Sequence, residues 1–463
     1  MAYIMAVEEV ALNCRIRVRF PRIPSNLISF LSLSILFALF LVTNAGAQTA
    51  PSPDTSAASS PPADTIITEY SPPPENAAKS EAYRGALHLH YFGDTFYGFV
   101  VLLLILWWRL GPRYRDWAER ASRRRFVQAL IFAPLLLLTV SVLNLPTGIW
   151  DQSLELKFGR SVQHWGSWFS DWITSQIIFL IVGTLVVWIL YGVIRRSPRR
   201  WWFYFWLASI PIISIFFFLQ PLIIDPLFFK FKPLADNHPE LVLQVEQVVH
   251  HGGMDIPQER MFEMNASTKT TEMNAYVAGF GSSKRAVMWD TILTKATPQE
   301  ALFVFGHEMG HYVLLHIPQL IAVISLILLV LFYIAYRVVG GILARWGATW
   351  QIRSLDDWAS LPLLLLLLSV LTFLATPVLN AISRHYEHEA DRYGIEVIHG
   401  IVPNANQVAA RYFEKSGEIN LNDPAPSEWV KFWFYDHPTR PERVHFVATY
   451  DPWAHGEKGK YVP

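Results

Sequence analysis

The sequence predicts a mainly α-helical membrane protein whose spans are interrupted by one polar region. Of its 463 residues, 52% are hydrophobic and only 16% are charged, whereas soluble domains carry about 25% charged residues. Six apolar stretches are long enough to cross a bilayer, because a spanning helix needs roughly 20 residues. Residues 225–316 form a polar segment between the fourth and the fifth stretch. These observations together predict a polytopic helical bundle with a small folded region attached.

The charge balance and the cysteine content exclude two kinds of site. The chain has 38 Lys and Arg residues and 38 Asp and Glu residues, so a nucleic-acid partner has no electrostatic support. Its only cysteine is Cys14. An intrachain disulfide and a cysteine-ligated zinc site are therefore excluded, and any metal must be bound by His, Asp or Glu.

The N-terminus has the features of an export signal. The apolar run 27–42 ends shortly before the small-residue sequence Ala45-Gly46-Ala47, and it follows four arginines, Arg15, Arg17, Arg19 and Arg22. We predict a signal peptide over residues 1–47, with an uncleaved signal anchor as the alternative. Residues 48–93 are then expected to be a linker, because their first part is rich in Pro and Ser.

Six membrane spans are predicted, four within residues 94–224 and two within 317–383. Their ranges are 94–110, 126–148, 172–194, 202–224, 317–340 and 361–383. Proline within these spans is tolerated, because neighbouring helices satisfy the backbone groups that it frees.

The distribution of arginine predicts the orientation. Arginines are concentrated in the connections after the first, third and fifth spans, including the run Arg123-Arg124-Arg125, whereas the connection 149–171 holds only Lys157 and Arg160. Basic connections face the cytoplasm. Residues 225–316 and the tail 384–463 are therefore predicted on the exported, periplasmic side of a bacterial inner membrane, which agrees with an export signal.

Local patterns in residues 225–316 predict a small unit of helices and strands. Residues 240–249 place four apolar side chains on one helical face, and Gly252-Gly253 provides a helix end. The stretches 260–264, 273–279 and 285–290 are short and β-rich, which predicts a small sheet. Thr297-Pro298-Gln299-Glu300 then has the sequence of a capping box that begins another helix.

That last helix carries a zinc motif. His307 and His311 are four residues apart, so they lie on one helical face and can bind one Zn²⁺ ion. Glu308 lies beside them, where it can act as a general base toward water. The motif predicts zinc-dependent hydrolysis of a peptide bond. The alternative is an amphipathic helix that buries two histidines by chance.

The third metal ligand is expected on a later helix. Glu387 and Asp391 are four residues apart and share a face, whereas Glu389 points roughly the opposite way. We assign Glu387 to the metal, and we assign Asp391 to a hydrogen bond that fixes the tautomer of a ligating imidazole. A solvated acidic helix start is the alternative. His316 is one position short of a metzincin-type third ligand and receives no role.

Several separated segments occur in an order that resembles the type I CAAX prenyl protease family of integral-membrane zinc endopeptidases. The matching segments are Pro226 to Leu234, Asn274-Ala275-Tyr276 with Lys284-Arg285 and Asp290-Thr291, His307 to His311, Ser383-Arg384 with Glu387 and Asp391, and His437-Pro438 with Glu442-Arg443. The resemblance is strong over about 200–447 and is traceable from about 80.

This resemblance implies a fold, a cofactor and roles for individual residues. The spans would enclose a chamber, with a gluzincin-type zinc domain that contains a β-hairpin at its wall. One Zn²⁺ would be bound by His307, His311 and Glu387. Glu308 would activate water and then protonate the leaving amine. His437 and Arg443 would stabilise the oxyanion, and Asn274, Ala275 and Tyr276 would contact a substrate that adds as a strand.

The substrate and two alternative functions stay open. The resemblance implies a peptide or membrane-protein substrate within membrane lipids, and lipid modification of that substrate is one option. Prenylated CAAX proteins are cytosolic, however, so the predicted orientation does not support a prenyl requirement. An intramembrane protease of the site-two type is a second interpretation of the zinc motif, and a non-catalytic membrane scaffold or transporter is a third.

Overall fold

The computed structural model describes residues 66–279 and 284–462. The predicted signal peptide and the first part of the predicted linker lie outside these residues. The prediction of a linker is wrong for residues 74–93, because helix α1 begins at Pro74 and ends at Trp107. Proline is favourable in the first helical turn, where its missing N–H has no partner to lose. One of the prolines that suggested a linker, Pro74, is therefore the first residue of the first membrane helix.

The described residues contain fourteen α-helices, of which six are long and apolar enough to cross a membrane. In chain order they are α1 Pro74–Trp107, α2 Leu110–Ala121, α3 Arg125–Lys157, α4 Trp165–Arg196, α5 Trp201–Leu219, α6 Asp225–Phe228, α7 Pro239–His251, α8 Asp290–Lys295, α9 Pro298–Val313, α10 His316–Trp346, α11 Leu361–Ile398, α12 Ala405–Ile419, α13 Glu428–Phe434 and α14 Arg440–Thr449.

The six predicted spans correspond to α1, α3, α4, α5, α10 and α11, so the bundle is confirmed. Several of these helices are longer than the predicted spans. Helix α11 is the clearest case, because it continues without a break from the sixth span through Glu387 to Ile398. The segment that carries the predicted third metal ligand, Glu387, is therefore the end of a membrane helix and not a separate helix.

The polar region contains a four-stranded sheet with the strand order β1-β2-β4-β3. Its strands are β1 Phe231–Pro233, β2 Met261–Met264, β3 Ala275–Ala278 and β4 Arg285–Trp289. Strands β2 and β4 are parallel, whereas β1 and β3 pair antiparallel at the two edges. The three predicted strands and the amphipathic helix, α7, are confirmed; β1 was not predicted. Strand β3 lies at one edge of the described sheet.

Helix α9 begins with the predicted capping box. The Thr297 side chain accepts a hydrogen bond from the Glu300 backbone N–H at 3.2 Å, and the Glu300 carboxylate accepts one from the Thr297 N–H at 2.8 Å. The helix packs closely against α11. A Cβ atom added at Gly306 would come within 2.7 Å of the Val397 side chain, and one added at Gly394 would come within 3.0 Å of the His307 backbone nitrogen. These two glycines bring the metal motif against the end of α11.

The three arginine-bearing connections pack together at one end of the bundle. Arg115 lies 2.7 Å from the Asp357 carboxylate, and Arg353 lies 2.9 Å from Glu119. Arg195 donates a hydrogen bond to the Asp356 carbonyl oxygen at 3.0 Å. The arginine-rich connections thus share one side, as the sequence predicts. The assignment of that side to the cytoplasm stays a prediction.

Candidate metal centre

Three side chains from two helices converge on one point. His307 and His311 project from α9, and Glu387 projects from α11. The two imidazole Nε2 atoms are 3.1 Å apart. The Glu387 carboxylate oxygens lie 3.3 Å from His307 Nε2 and 3.4 Å from His311 Nε2. Among the described residues, these three side chains form a group whose potential ligand atoms all lie within 4.8 Å of one another, close enough to bind one metal ion.

The spacing of these atoms fits Zn²⁺. Ligands at about 2.0–2.1 Å in tetrahedral geometry are about 3.3 Å from one another. The three observed separations, 3.1, 3.3 and 3.4 Å, match that length. Two imidazole nitrogens and one carboxylate are also a common donor set for a catalytic zinc ion, which keeps its fourth position open.

The two histidines differ in their affinity for a proton. Burial lowers the pKa of His311 to about 3, so its imidazole is neutral and keeps a lone pair. Burial also opposes a charge on His307, but hydrogen bonding to Asp391 and Glu387 outweighs it and raises the pKa of His307 to about 10. A positive charge between the two carboxylates is therefore stabilised.

Asp391 lies between His307 and Arg443 and contacts both side chains. Asp391 is fully buried, and its Oδ1 lies 2.9 Å from His307 Nδ1. Arg443 binds the same carboxylate through two nitrogens, with Nε to Oδ2 at 2.8 Å and Nη2 to Oδ1 at 2.5 Å. Arg443 Nη2 also lies 3.7 Å from the Glu387 carboxylate, and its predicted role toward an oxyanion stays a prediction.

We expect Asp391→Asn to weaken zinc binding by roughly 10–100-fold, because a partner that orients a metal-bound imidazole typically contributes that much. A chelator competition titration measures the change. Glu389→Gln on the same helix is the control, since Glu389 pairs with Arg392 and Lys460 instead. Equal zinc affinity in Asp391→Asn and wild-type protein would contradict this role.

Glu308 lies beside the metal ligands in a position suited to a base. Its carboxylate Oε1 is 4.0 Å from His307 Nε2, and the residue lines a cavity of about 340 Å³ together with His307 and His437. Burial raises the pKa of Glu308 to about 7. A carboxylate with this pKa is a stronger base than an ordinary glutamate, as general-base catalysis near neutral pH requires.

His437 is brought to the site by the loop between α13 and α14. Its Nε2 lies 3.2 Å from Glu387, and its Nδ1 lies 2.8 Å from Asp436. The side chain is 48% exposed, so it is free to reach a substrate in the cavity. Its predicted role toward an oxyanion stays a prediction, and the position is compatible with that role.

The three predicted substrate-binding residues differ in their access to the cavity. Asn274 lines the cavity at the start of β3. Ala275 is buried, and the Tyr276 hydroxyl donates a hydrogen bond to Asp225 at 3.0 Å. Neither Ala275 nor Tyr276 is among the cavity-lining residues. A substrate would thus meet these two residues through the backbone of β3.

His316 is a residue whose role the sequence analysis missed. It is 6% exposed, its Nδ1 lies 3.1 Å from His311 Nδ1, and its ring stacks on Tyr386 with ring centres 4.7 Å apart. His316 thus contacts the ring of His311 on the side away from Glu387, as Asp391 contacts His307. The available signal was a histidine five residues after His311, but its placement depends on the turn at Leu315, where φ is +58°.

Comparisons with known proteins agree with this fold and site. Residues 236–451 match the model of peptidase family M48, and residues 59–230 match that of the CAAX prenyl protease N-terminal region with five membrane helices. The uncharacterized metalloprotease YhfN of Bacillus subtilis is 33% identical over 390 residues, which cover 84% of this chain and 87% of that protein. The human CAAX prenyl protease 1 homolog is 25% identical over 394 residues, which cover 74% and 78% of the two chains.

A solved structure supports the same architecture. The crystal structure of Ste24p from S. mikatae superimposes with a TM-score of 0.69 and 22% identity, covering 93% of this chain and all of that chain (100%). The fold and the site define a membrane-embedded zinc metalloendopeptidase of the CAAX prenyl protease type. The chain belongs to peptidase family M48. The predicted class of enzyme and its zinc cofactor are confirmed, and the site-two and scaffold or transporter alternatives receive no support.

Proposed function

We propose that this enzyme cleaves extended segments of membrane proteins at the exported face of a bacterial inner membrane. The observation that supports this best is that the predicted zinc ligand His307, the base Glu308 and the start of strand β3 line one cavity. The membrane helix α1 contributes Arg84 and His88 to the lining of that cavity. Residues 225–316 share one hydrophobic core with the end of α11 and with α12 and α14, so we treat them as a single catalytic unit.

The geometry supports a role for each of these residues. Zinc bound by His307, His311 and Glu387 would act as a Lewis acid that polarises the peptide carbonyl. Glu308 takes the proton from the attacking water and delivers it to the leaving amine, for which its raised pKa suits it. His437, on the loop between α13 and α14, donates a hydrogen bond to the developing oxyanion.

Strand β3 provides a template for the substrate. Among the described residues, its four residues, Ala275–Ala278, pair with β4 on one side only. An unpaired strand edge next to a cleavage site allows an extended peptide to add as a further strand through main-chain hydrogen bonds. Recognition of this kind depends weakly on side chains, which suits an enzyme that acts on unfolded or lipid-modified membrane proteins alike.

The raised pKa of Glu308 predicts a pH dependence. A base works only when it is deprotonated, so kcat/KM should fall as the pH drops through the pKa of Glu308 in the free enzyme. Because a bound cation lowers the pKa of a nearby carboxyl, we expect the midpoint between the ordinary value of 4.5 and about 7. Zinc content measured at each pH separates this limb from metal loss. Constant activity down to about pH 4 would contradict the assignment.

A matched pair of peptides tests the proposed substrate class. One peptide carries a farnesylated CAAX end and the other the same sequence without the lipid, and zinc-loaded Glu308→Gln protein is the blank. We expect Glu308-dependent cleavage of both peptides. Cleavage of the prenylated peptide alone would identify a CAAX-processing enzyme and would contradict both the general substrate class and the proposed orientation.

A further inference from the structure

Four arginines line the active-site cavity, together with three acidic residues, Glu272, Glu308 and Asp436. Besides Arg443, three arginines line it, Arg84, Arg160 and Arg440. A guanidinium that leaves water needs an anion or several hydrogen-bond acceptors to offset the loss of hydration. The partners of each arginine therefore show where a negative charge is still lacking.

Two of the four arginines have carboxylate partners. Arg443 binds Asp391 through two nitrogens, as described above. Arg160 is 3% exposed and lies 3.8 Å from the carboxylates of both Glu155 and Glu272. The charges on these two side chains are compensated within the protein, so they have no need of a further anion.

The other two arginines lack such partners. Arg84 donates hydrogen bonds to the carbonyl oxygens of Leu421 at 2.9 Å and Asn420 at 2.8 Å. Arg440 donates one to Asn422 Oδ1 at 3.3 Å, and its guanidinium lies 5.4 Å from the Phe413 ring centre. Within residues 66–279 and 284–462, no carboxylate forms an ion pair with either side chain. Burial, followed by repulsion from Arg443, lowers the pKa of Arg440 to about 10, and the attraction of Asp391 does not offset them.

We propose that Arg440, together with Arg84, forms a subsite that binds a carboxylate of the substrate. A guanidinium with unused N–H groups in a partly buried cavity forms short, charge-assisted hydrogen bonds to carboxylate oxygens, often two at once. The carboxylate belongs either to the C-terminus of a peptide or to an acidic side chain near the cleavage site. This inference rests on the proposed function, because the ligand is the peptide that the enzyme cleaves.

Peptide binding to the Glu308→Gln protein tests the subsite without cleavage. One pair of peptides differs only in a free or an amidated C-terminus. A second pair, both amidated, differs in an internal Glu or Gln. Each is measured by fluorescence anisotropy with full-length Glu308→Gln protein and with the same protein carrying Arg440→Gln or Arg440→Lys. Arg411→Gln is the control, since Arg411 lies on α12 and does not line the cavity.

We expect the acidic member of one pair to bind about tenfold more tightly than its neutral partner, the size of one charge-assisted hydrogen bond. Arg440→Gln should remove this preference and leave the Kd of the neutral peptide unchanged, whereas Arg440→Lys should keep part of it. The pair that shows the preference identifies the source of the carboxylate. Zinc content confirms that each variant is folded.

Two results would overturn the subsite. One is equal binding of the acidic and neutral peptides by the parent protein in both pairs. The other is an equal loss of affinity for acidic and neutral peptides in Arg440→Gln. The proposed function fails by a different readout, the absence of Glu308-dependent cleavage by wild-type protein, so the two failures are distinguishable.

Discussion

Replacing Glu308 by Gln should reduce peptide cleavage by about 10²–10⁴-fold, the usual contribution of a positioned acid–base group. The amide retains the size of the side chain but accepts no proton from water at any accessible pH. Zinc binding should persist, because Glu308 is beside the metal ligands and is not one of them, with its carboxylate 4.0 Å from His307 Nε2. Cleavage rate and zinc content measured on the same purified samples test both expectations.

A variant of the neighbouring Met309 makes a suitable control for this experiment. Met309 is fully buried on the same helix, so Met309→Leu changes the packing of α9 without altering a charge. It should retain activity within a small factor. Wild-type turnover in zinc-loaded Glu308→Gln protein would remove Glu308 from the mechanism, whereas loss of zinc from that variant would show that its carboxylate supports the metal.

Replacing Glu387 by Ala should abolish both zinc retention and activity. The substitution removes the negatively charged ligand and leaves two imidazoles, so affinity should fall by more than the roughly 10–100-fold that an outer partner contributes. His307 should also lose part of its raised pKa, since Glu387 is one of its causes. Zinc content after dialysis against a weak chelator measures the loss.

Glu389→Ala is a closely matched control for the third ligand. Glu389 lies on the same helix and is 8% exposed, against 7% for Glu387. Its carboxylate pairs with Arg392 and Lys460, away from the two histidines. The control variant should therefore retain zinc. Full metal content in Glu387→Ala together with loss in Glu389→Ala would show that the third ligand was assigned wrongly.

The sequence predicted the parts of the structure that depend on local patterns. Each membrane helix follows from a long apolar run, and helix α9 follows from a capping box and the spacing of His307 and His311. The spacing of Glu387 and Asp391 also predicted which carboxylate faces the histidines. Such assignments need no knowledge of the tertiary fold, because a single helix places its own side chains.

The errors concern features that tertiary packing determines. The start of α1 at Pro74 was missed because the Pro- and Ser-rich sequence before it resembles a linker. The role of His316 depends on a turn at Leu315 that joins two helices. The ion pair between Arg443 and Asp391, which joins α14 to α11, was not predicted, whereas the role of Arg443 toward an oxyanion stays a prediction. No local pattern reports a contact between residues 52 positions apart in the chain.

His307, His311 and Glu387 are expected to bind one zinc ion beside Glu308. Zinc K-edge X-ray absorption on the purified, zinc-loaded protein tests it directly. We expect one zinc per chain, with nitrogen and oxygen neighbours at about 2.0–2.2 Å and two imidazole signatures. The spectrum should be retained in Glu308→Gln and lost in Glu387→Ala. A first shell with one imidazole or none, or a spectrum unchanged in Glu387→Ala, would contradict the account.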